Sequence, residues 1–251
     1  MLIANPRGNF HFTKGSPFYA SAVLADPGFE IVRATFEKPV PLSAGFDAIQ
    51  REIQNRGRPL LALCGMELRA QDPYPNRTLF MEFNSQYVER LKSLELLVDG
   101  LVPITRANLA VHDRSVTEQC VYAFLYTVAA KTNRRTFATS AFADLRRRPD
   151  GSVENIAAGD VSPTGLREKV SFVIRTVDEN LKDIGASWDV ATQVRIYTVQ
   201  PIGNLIPEII LPVTGPGAHH GINWHYTYPP VVGLELEIDV RGVLRESVIS
   251  Q

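Results

Sequence analysis

One feature limits the fold of this chain more than any other: an order of periodic segments that occurs twice. From Phe18 to Ala129 the pattern runs β-β-α-β-α-β-β, and from Arg134 to Gly242 it runs that way again. Element order and length, rather than residue identity, carry the repeat. A unit of this order closes as a mixed sheet with two helices packed on one face. The expected class is α+β, with two tandem domains of that build at residues 1–130 and 131–251. The junction near Lys131–Arg134 carries no glycine or serine, so the linker is short and the halves are expected to pack together.

Spacing and punctuation define the segments. In SAGFDAIQREIQNRG, Phe46, Ile49 and Ile53 recur at helical intervals, with Ser43 placed to cap and Gly57 to stop. Before it, FYASAVLAD and FEIVRATFEKPV read as two strands separated by the turn dipeptide Pro27-Gly28. PLLALCGMELRA reads as a buried strand, EFNSQYVERLKSLELLV as a helix, and TRANLAVHD and QCVYAFLYTVAA as closing strands. In the second half, RRTFATSAFADLRRR and ENIAAGDVS flank a turn at Pro149-Asp150-Gly151. A long helix follows, with Val170, Val173, Ile174, Val177, Leu181 and Ile184 on one stripe and Gly185 at its end. WDVATQVRIYTV is a strand, and NLIPEIILPVTGPG is a helix broken by Pro207 and Pro212. INWHYTYPP and LELEIDVRG close the repeat as strands. Strict alternation in LELEIDV puts Glu235 and Glu237 on one face, either polar or lining a site.

Composition removes several classes of function. Hydrophobic residues make up 45% of the 251 and charged residues 21%, enough to bury a full core. A net charge of -1 offers no electrostatic footprint for nucleic acid. No apolar run approaches the roughly 20 residues that span a bilayer, and MLIANPRGNFHFTKG lacks the order of a signal peptide. Cys64 and Cys120 sit in apolar runs with no CxxC, as buried thiols of a reducing compartment do. The expected setting is the cytoplasm, with no membrane and no nucleic-acid partner.

Several stretches of the second half occur in a familiar order: AAGDV at 157–161, VIRTVDENLKDIGAS, WDVATQVRIYTV and PPVVGLELEIDVRG. In that order they resemble the RidA/YjgF family of small enamine/imine deaminases, whose domains are YjgF/chorismate-mutase-like. Gly159 matches the turn glycine, Leu181 and Gly185 the helix end, and Glu235 with Glu237 the closing strand. In the first half, which is more divergent, PITRANLAV resembles the family's arginine stretch and puts Arg106 at the carboxylate-binding position. Each half keeps one signature group. His220 stands where the second half should carry the arginine, and Val121 or Tyr122 where the first should carry the glutamate. Either both halves assemble one site or the activity has changed. The resemblance also implies a homotrimer with clefts between neighbouring domains.

Hydrolysing an imine needs a holder for the substrate acid, a water and a group that manages protons. A guanidinium fork matches a carboxylate, so Arg106 is the expected clamp; the competing reading is a surface arginine paired with Asp113. Glu235 is the expected base for the water by the family spacing, ahead of Glu237. GAHHGINWHYTYPP concentrates three of the five histidines with Trp224, Tyr226 and Tyr228, as a pocket wall would. His220 is read there as a substrate contact or proton shuttle, and Gly159 as part of the cleft lining. A metal site at His219, His220 and His225 lacks an acidic partner at ligand spacing, so no metal is expected. No cofactor is implied either.

The reading implied by the resemblance is a hydrolase: a deaminase of a small carboxylated nitrogen compound, an enamine, imine or aminomuconate-like diacid. Two other readings stay open from the residues. One is a non-catalytic ligand sensor or assembly protein of this fold; the other is a chorismatase-like lyase or hydrolase on a carboxylated ring.

Overall fold

The structure, a computed structural model, describes residues 1–148 and 150–250. Pro149 of the expected turn lies outside them. Strands β1 (Leu2–Asn5), β2 (Phe10–Ser16) and β3 (Tyr19–Ala25) open the chain. Next come β4 (Phe29–Pro41), α1 (Leu42–Asn55), β5 (Leu63–Ala70), α2 (Arg77–Ser93), β6 (Thr105–Ala110) and β7 (Cys120–Ala129). The second half holds β8 (Phe137–Thr139), β9 (Phe142–Ala143), a hairpin of β10 (Leu145–Arg147) and β11 (Val153–Asn155), and α3 (Pro163–Asp183). It ends with β12 (Gln193–Tyr197), irregular helical turns over 206–220, β13 (Ile222–His225), β14 (Glu237–Arg241) and β15 (Glu246–Ile249).

Local chemistry accounts for the main helices. Ser162 accepts the Gly165 N–H at 3.3 Å and Pro163 sits in the first turn of α3, while Gly185 ends it at a φ of 66°. Asn76 caps α2 by accepting the Leu79 N–H at 3.0 Å. At α1 the expected cap moves: Pro41 precedes the helix, and Ser43 lies inside the first turn.

Apart from the β10–β11 hairpin, the described strands form two mixed sheets. One runs β15-β4-β7-β5-β6; the other runs β1-β2-β3-β8-β14-β12-β13, with β9 also on β14. Within them, β4-β7-β5-β6 and β8-β14-β12-β13 have one connectivity: the last strand in sequence lies second, and the strands flanking the second helical segment, β5 and β6 or β12 and β13, run parallel. The sheets exchange strands across residue 130. β1–β3 extend the second half's sheet through β3–β8, and β15 extends the first half's sheet through β4. The strands around Pro27-Gly28 therefore do not pair with each other; the chain crosses between sheets at that turn.

Helices cover the outer faces and the sheets meet inside. Val32, Ala34, Met66 and Leu68 pack under α1 and α2, and Val194, Ile196, Ile238 and Val240 under α3. Each such fully buried aliphatic is worth about 1.5–3 kcal/mol. The alternate residues face the other sheet. There Phe10, Phe12 and Val23 meet Ile31, Cys64 and Leu125, beside a cluster of charges. The Glu67 carboxylate accepts two bonds from Arg33, at 2.7 and 2.8 Å, and one each from Arg195 and Arg241, both at 2.9 Å. Arg195 also forks onto Asp239 at 2.7 and 2.8 Å, and the Tyr197 hydroxyl donates to the same carboxylate at 2.9 Å. Burial alone would raise the Glu67 pKa, but Arg195, Arg33 and Arg241 hold it well below the usual carboxylate range.

Candidate active site

Where β6 of one sheet meets β9 and β14 of the other, a cavity of about 400 Å³ opens between the halves. Its polar wall comes from both. Arg106 and Asn108 stand on β6 of the first half, and Glu237 on β14 of the second. Phe80 and Asn84 of α2, Tyr19 of β3 and Phe172 of α3 supply further lining.

Arg106 is held with unusual care. Its backbone N–H donates to the Ser140 hydroxyl at 2.9 Å, and that hydroxyl donates to the Ala20 carbonyl at 2.6 Å. One guanidinium nitrogen donates to Asn84 Oδ1 at 2.6 Å. The rings of Tyr19, Phe80, Phe83 and Tyr87 lie 5.1–5.8 Å from the guanidinium carbon. Nη1 is buried with no partner, and among the described residues no carboxylate pairs with Arg106. Burial lowers its pKa, although Tyr87, Tyr19 and Glu237 oppose the shift. Asp113 bonds Ser115 on the surface instead.

Two further polar atoms in this lining are buried and unmatched: Asn108 Nδ2 and Glu237 Oε2. Burial, with Asp239 behind it, pushes the Glu237 pKa well above the usual carboxylate value, and Arg106 does not restore it. That shift favours the protonated form of the Glu237 carboxyl. A buried brace positions the chain leading to it. Lys169 Nζ donates to Asp144 Oδ2 at 2.9 Å and to the Ile156 carbonyl at 2.6 Å, and Asp144 Oδ1 accepts the Glu235 N–H at 3.0 Å.

The structure brings Arg106 to the cavity and keeps the other expected site residues out of its lining. Glu235 precedes the regular pairing of β14, and its side chain accepts from Gln200 at 2.7 Å, so the cavity-facing carboxyl is Glu237. The aromatic and histidine segment lies along β13, which pairs with β12 alone among the described residues. Trp224 donates to the Thr198 carbonyl at 2.9 Å, and Tyr226 is 74% exposed. Tyr228 bridges Ala110 through its backbone and meets His112 edge-on. His220 is exposed at the end of the helical turn before β13, and Gly159 forms an exposed turn at a φ of 72°. Among the described residues no three His, Cys, Asp or Glu side chains gather as metal ligands, and no helix is long and apolar enough to cross a membrane.

Sequence reasoning missed the aromatic cage and three arginines at the cavity, Arg77, Arg146 and Arg147. Phe80, Phe83 and Tyr87 at helical spacing carried the first signal. The second was the run at 146–148, which reads alone as a solvated hairpin tip.

The family model described as 2-aminomuconate deaminase CnbZ matches residues 2–247. The chain belongs to that family. Within the family's range, it is 38% identical over 246 residues to the 2-amino-5-chloromuconate deaminase of Comamonas testosteroni, covering 96% of each chain. Among solved structures it is similar to a chorismatase at a TM-score of 0.50 and 12% identity, over 88% of this chain and 77% of that one, which shows a shared fold. It is also similar to the Rid-family protein YyfB from Yersinia pestis, at a TM-score of 0.33 and 17% identity over 47% of this chain and 84% of that one.

Proposed function

We propose that this protein is a hydrolytic deaminase of an aminomuconate-like acid, working in the cavity between its halves. The observation that carries the reading is the meeting there of three buried, unpartnered polar atoms, Arg106 Nη1, Asn108 Nδ2 and Glu237 Oε2. Unmatched buried donors and acceptors are costly, and in a cavity they are sites waiting for a ligand's complementary groups. Membership of a family described by 2-aminomuconate deamination supplies the chemical class.

Arg106 takes the carboxylate beside the C–N carbon, its fork fixed by Asn84 and the aromatic cage. The neutral Glu237 carboxyl protonates the enamine carbon, giving an iminium. The resulting carboxylate draws a proton from water as its oxygen bonds to the iminium carbon. Glu237 next returns that proton to nitrogen, the C–N bond breaks, and ammonia leaves with the bonding pair. The carbinol proton finally passes to Glu237, so the carboxyl is restored and the product is a 2-oxo acid. Each transfer uses one group whose pKa lies above its solution value, as general acid–base work near neutrality requires.

The same reading takes the two halves as tandem copies of one YjgF-like unit that share a single site, since β4-β7-β5-β6 and β8-β14-β12-β13 have the same connectivity. Assembly as a homotrimer belongs to this proposal. The test is ammonia release from 2-aminomuconate by wild type and by Arg106→Met. Turnover in the wild type with a loss of roughly 10²-fold or more in kcat/KM for the variant supports the clamp, and equal rates would sink it.

A further inference from the structure

The cavity carries more positive charge than one carboxylate needs. Its lining holds Arg77, Arg106, Arg146 and Arg147 against two acids, Glu179 and Glu237. The three arginines other than Arg106 come from two elements. Arg77 opens α2, and Arg146 and Arg147 stand on the β10–β11 hairpin.

Their partners differ. Arg146 lies 3.7 Å from Glu154 and over the Phe172 ring, so its charge is answered. Arg77 reaches only a neutral oxygen, Asn155 Oδ1 at 3.2 Å. Arg147 has no hydrogen-bond or ion-pair partner among the described residues, and its charge bears on Arg77, adding to the effect of burial on that group. Two guanidinium groups that line one cavity without an acid partner suit an anion.

The hairpin that brings Arg147 has no counterpart in the first half. There β4 runs straight into α1, whereas β9 is separated from α3 by the β10–β11 insertion and its following turn. The same lining carries the rings of Phe80, Phe142 and Phe172, which suit a flat unsaturated chain, and guanidinium groups that suit its carboxylates.

We infer that Arg147 and Arg77 are the residues that receive the far carboxylate of the diacid, and so tell it from a monoacid of the same chain. This rests on the deaminase reading above, in which Arg106 holds the carboxylate next to the reacting carbon. Arg147 and Arg77 hold the far end of the chain and touch no reacting atom. Their contribution is therefore to affinity and selection more than to the chemical step.

Muconate and sorbate serve as probes, since they share a conjugated six-carbon skeleton and differ in whether the far end is a carboxylate or a methyl. Calorimetric binding to wild type should favour muconate by about tenfold or more, and Arg147→Ala should remove most of that preference while sorbate affinity stays within about twofold. With 2-aminomuconate as substrate, the same variant should raise KM by about tenfold and change kcat less. Arg77→Ala should act in the same direction. Arg147 is exposed, and circular dichroism checks that its variant is folded. A wild type that binds both acids equally, or variants that weaken both alike, would overturn the second site. Failure of the deaminase reading looks different: no ammonia is released from any aminomuconate, while the muconate preference and its loss in Arg147→Ala still decide the binding claim.

Discussion

Two sets of buried charge lie between the sheets, and they are built on opposite terms. At Glu67 both carboxylate oxygens accept from arginines, and Asp239 takes up the far side of Arg195. A short way along the same interface, Arg106 has an aromatic cage and a neutral amide but no acid, and Glu237 has a buried oxygen with no donor. Alternation in β5, β12 and β14 turns charged residues inward in both places. Completion is what separates them. A saturated cluster fixes how the sheets meet; an unsaturated pair in a cavity stores binding capacity for a ligand.

That contrast breaks first at its saturated end. Glu67→Ala leaves several buried guanidinium groups without their carboxylate and should cost about 3–5 kcal/mol, measured by urea unfolding. If Glu67→Ala unfolds at the wild-type urea midpoint, the cluster is not structural. Lys169→Met strands Asp144 in the same way and should cost about 3 kcal/mol, and Lys169→Met/Asp144→Asn should recover part of it.

Smaller effects sharpen the comparison through pH. The folded pKa of Glu67 lies well below its unfolded value, so its contribution is complete above the unfolded pKa and is lost as pH falls through the folded one. Glu237 has the reverse sign. Its folded pKa is raised, so its contribution is complete below the unfolded pKa and is lost as pH rises through the folded one. Tm profiles should therefore show Glu67→Gln flattening the acid limb and Glu237→Gln flattening the alkaline limb. In alkaline buffer Glu237→Gln should melt about 2–4 °C above wild type, and a lower Tm there would contradict the neutral-acid assignment.

Much of the fold was legible because its long elements carry strong periods. The α3 stripe from Val170 to Leu181 is buried as its spacing requires, and LCGMELRA, TRANLA and EIDVR are strands in the structure. Short edges were not legible: β1 and β15 have four residues each, too few for a pattern. Pro27-Gly28 marked a turn, but local sequence does not tell a hairpin from a crossing between sheets, which β3 settles by pairing with β8. The flanking residues singled out Arg106, which lines the cavity. Glu235 and Glu237 share a face only in a regular strand, and pairing starts at Glu237. The density of His, Trp and Tyr over 219–228 reads as a pocket wall, and the segment forms an edge strand and turns outside this cavity's lining.

The measurement that bears most directly on the site is ammonia release from 2-aminomuconate by Glu237→Gln and Glu235→Gln, each beside wild type. The geometry predicts that Glu237→Gln loses about 10²–10⁴-fold in kcat while Glu235→Gln stays within about threefold. Loss of turnover in Glu235→Gln with an active Glu237→Gln would move the chemistry out of this cavity and contradict the account.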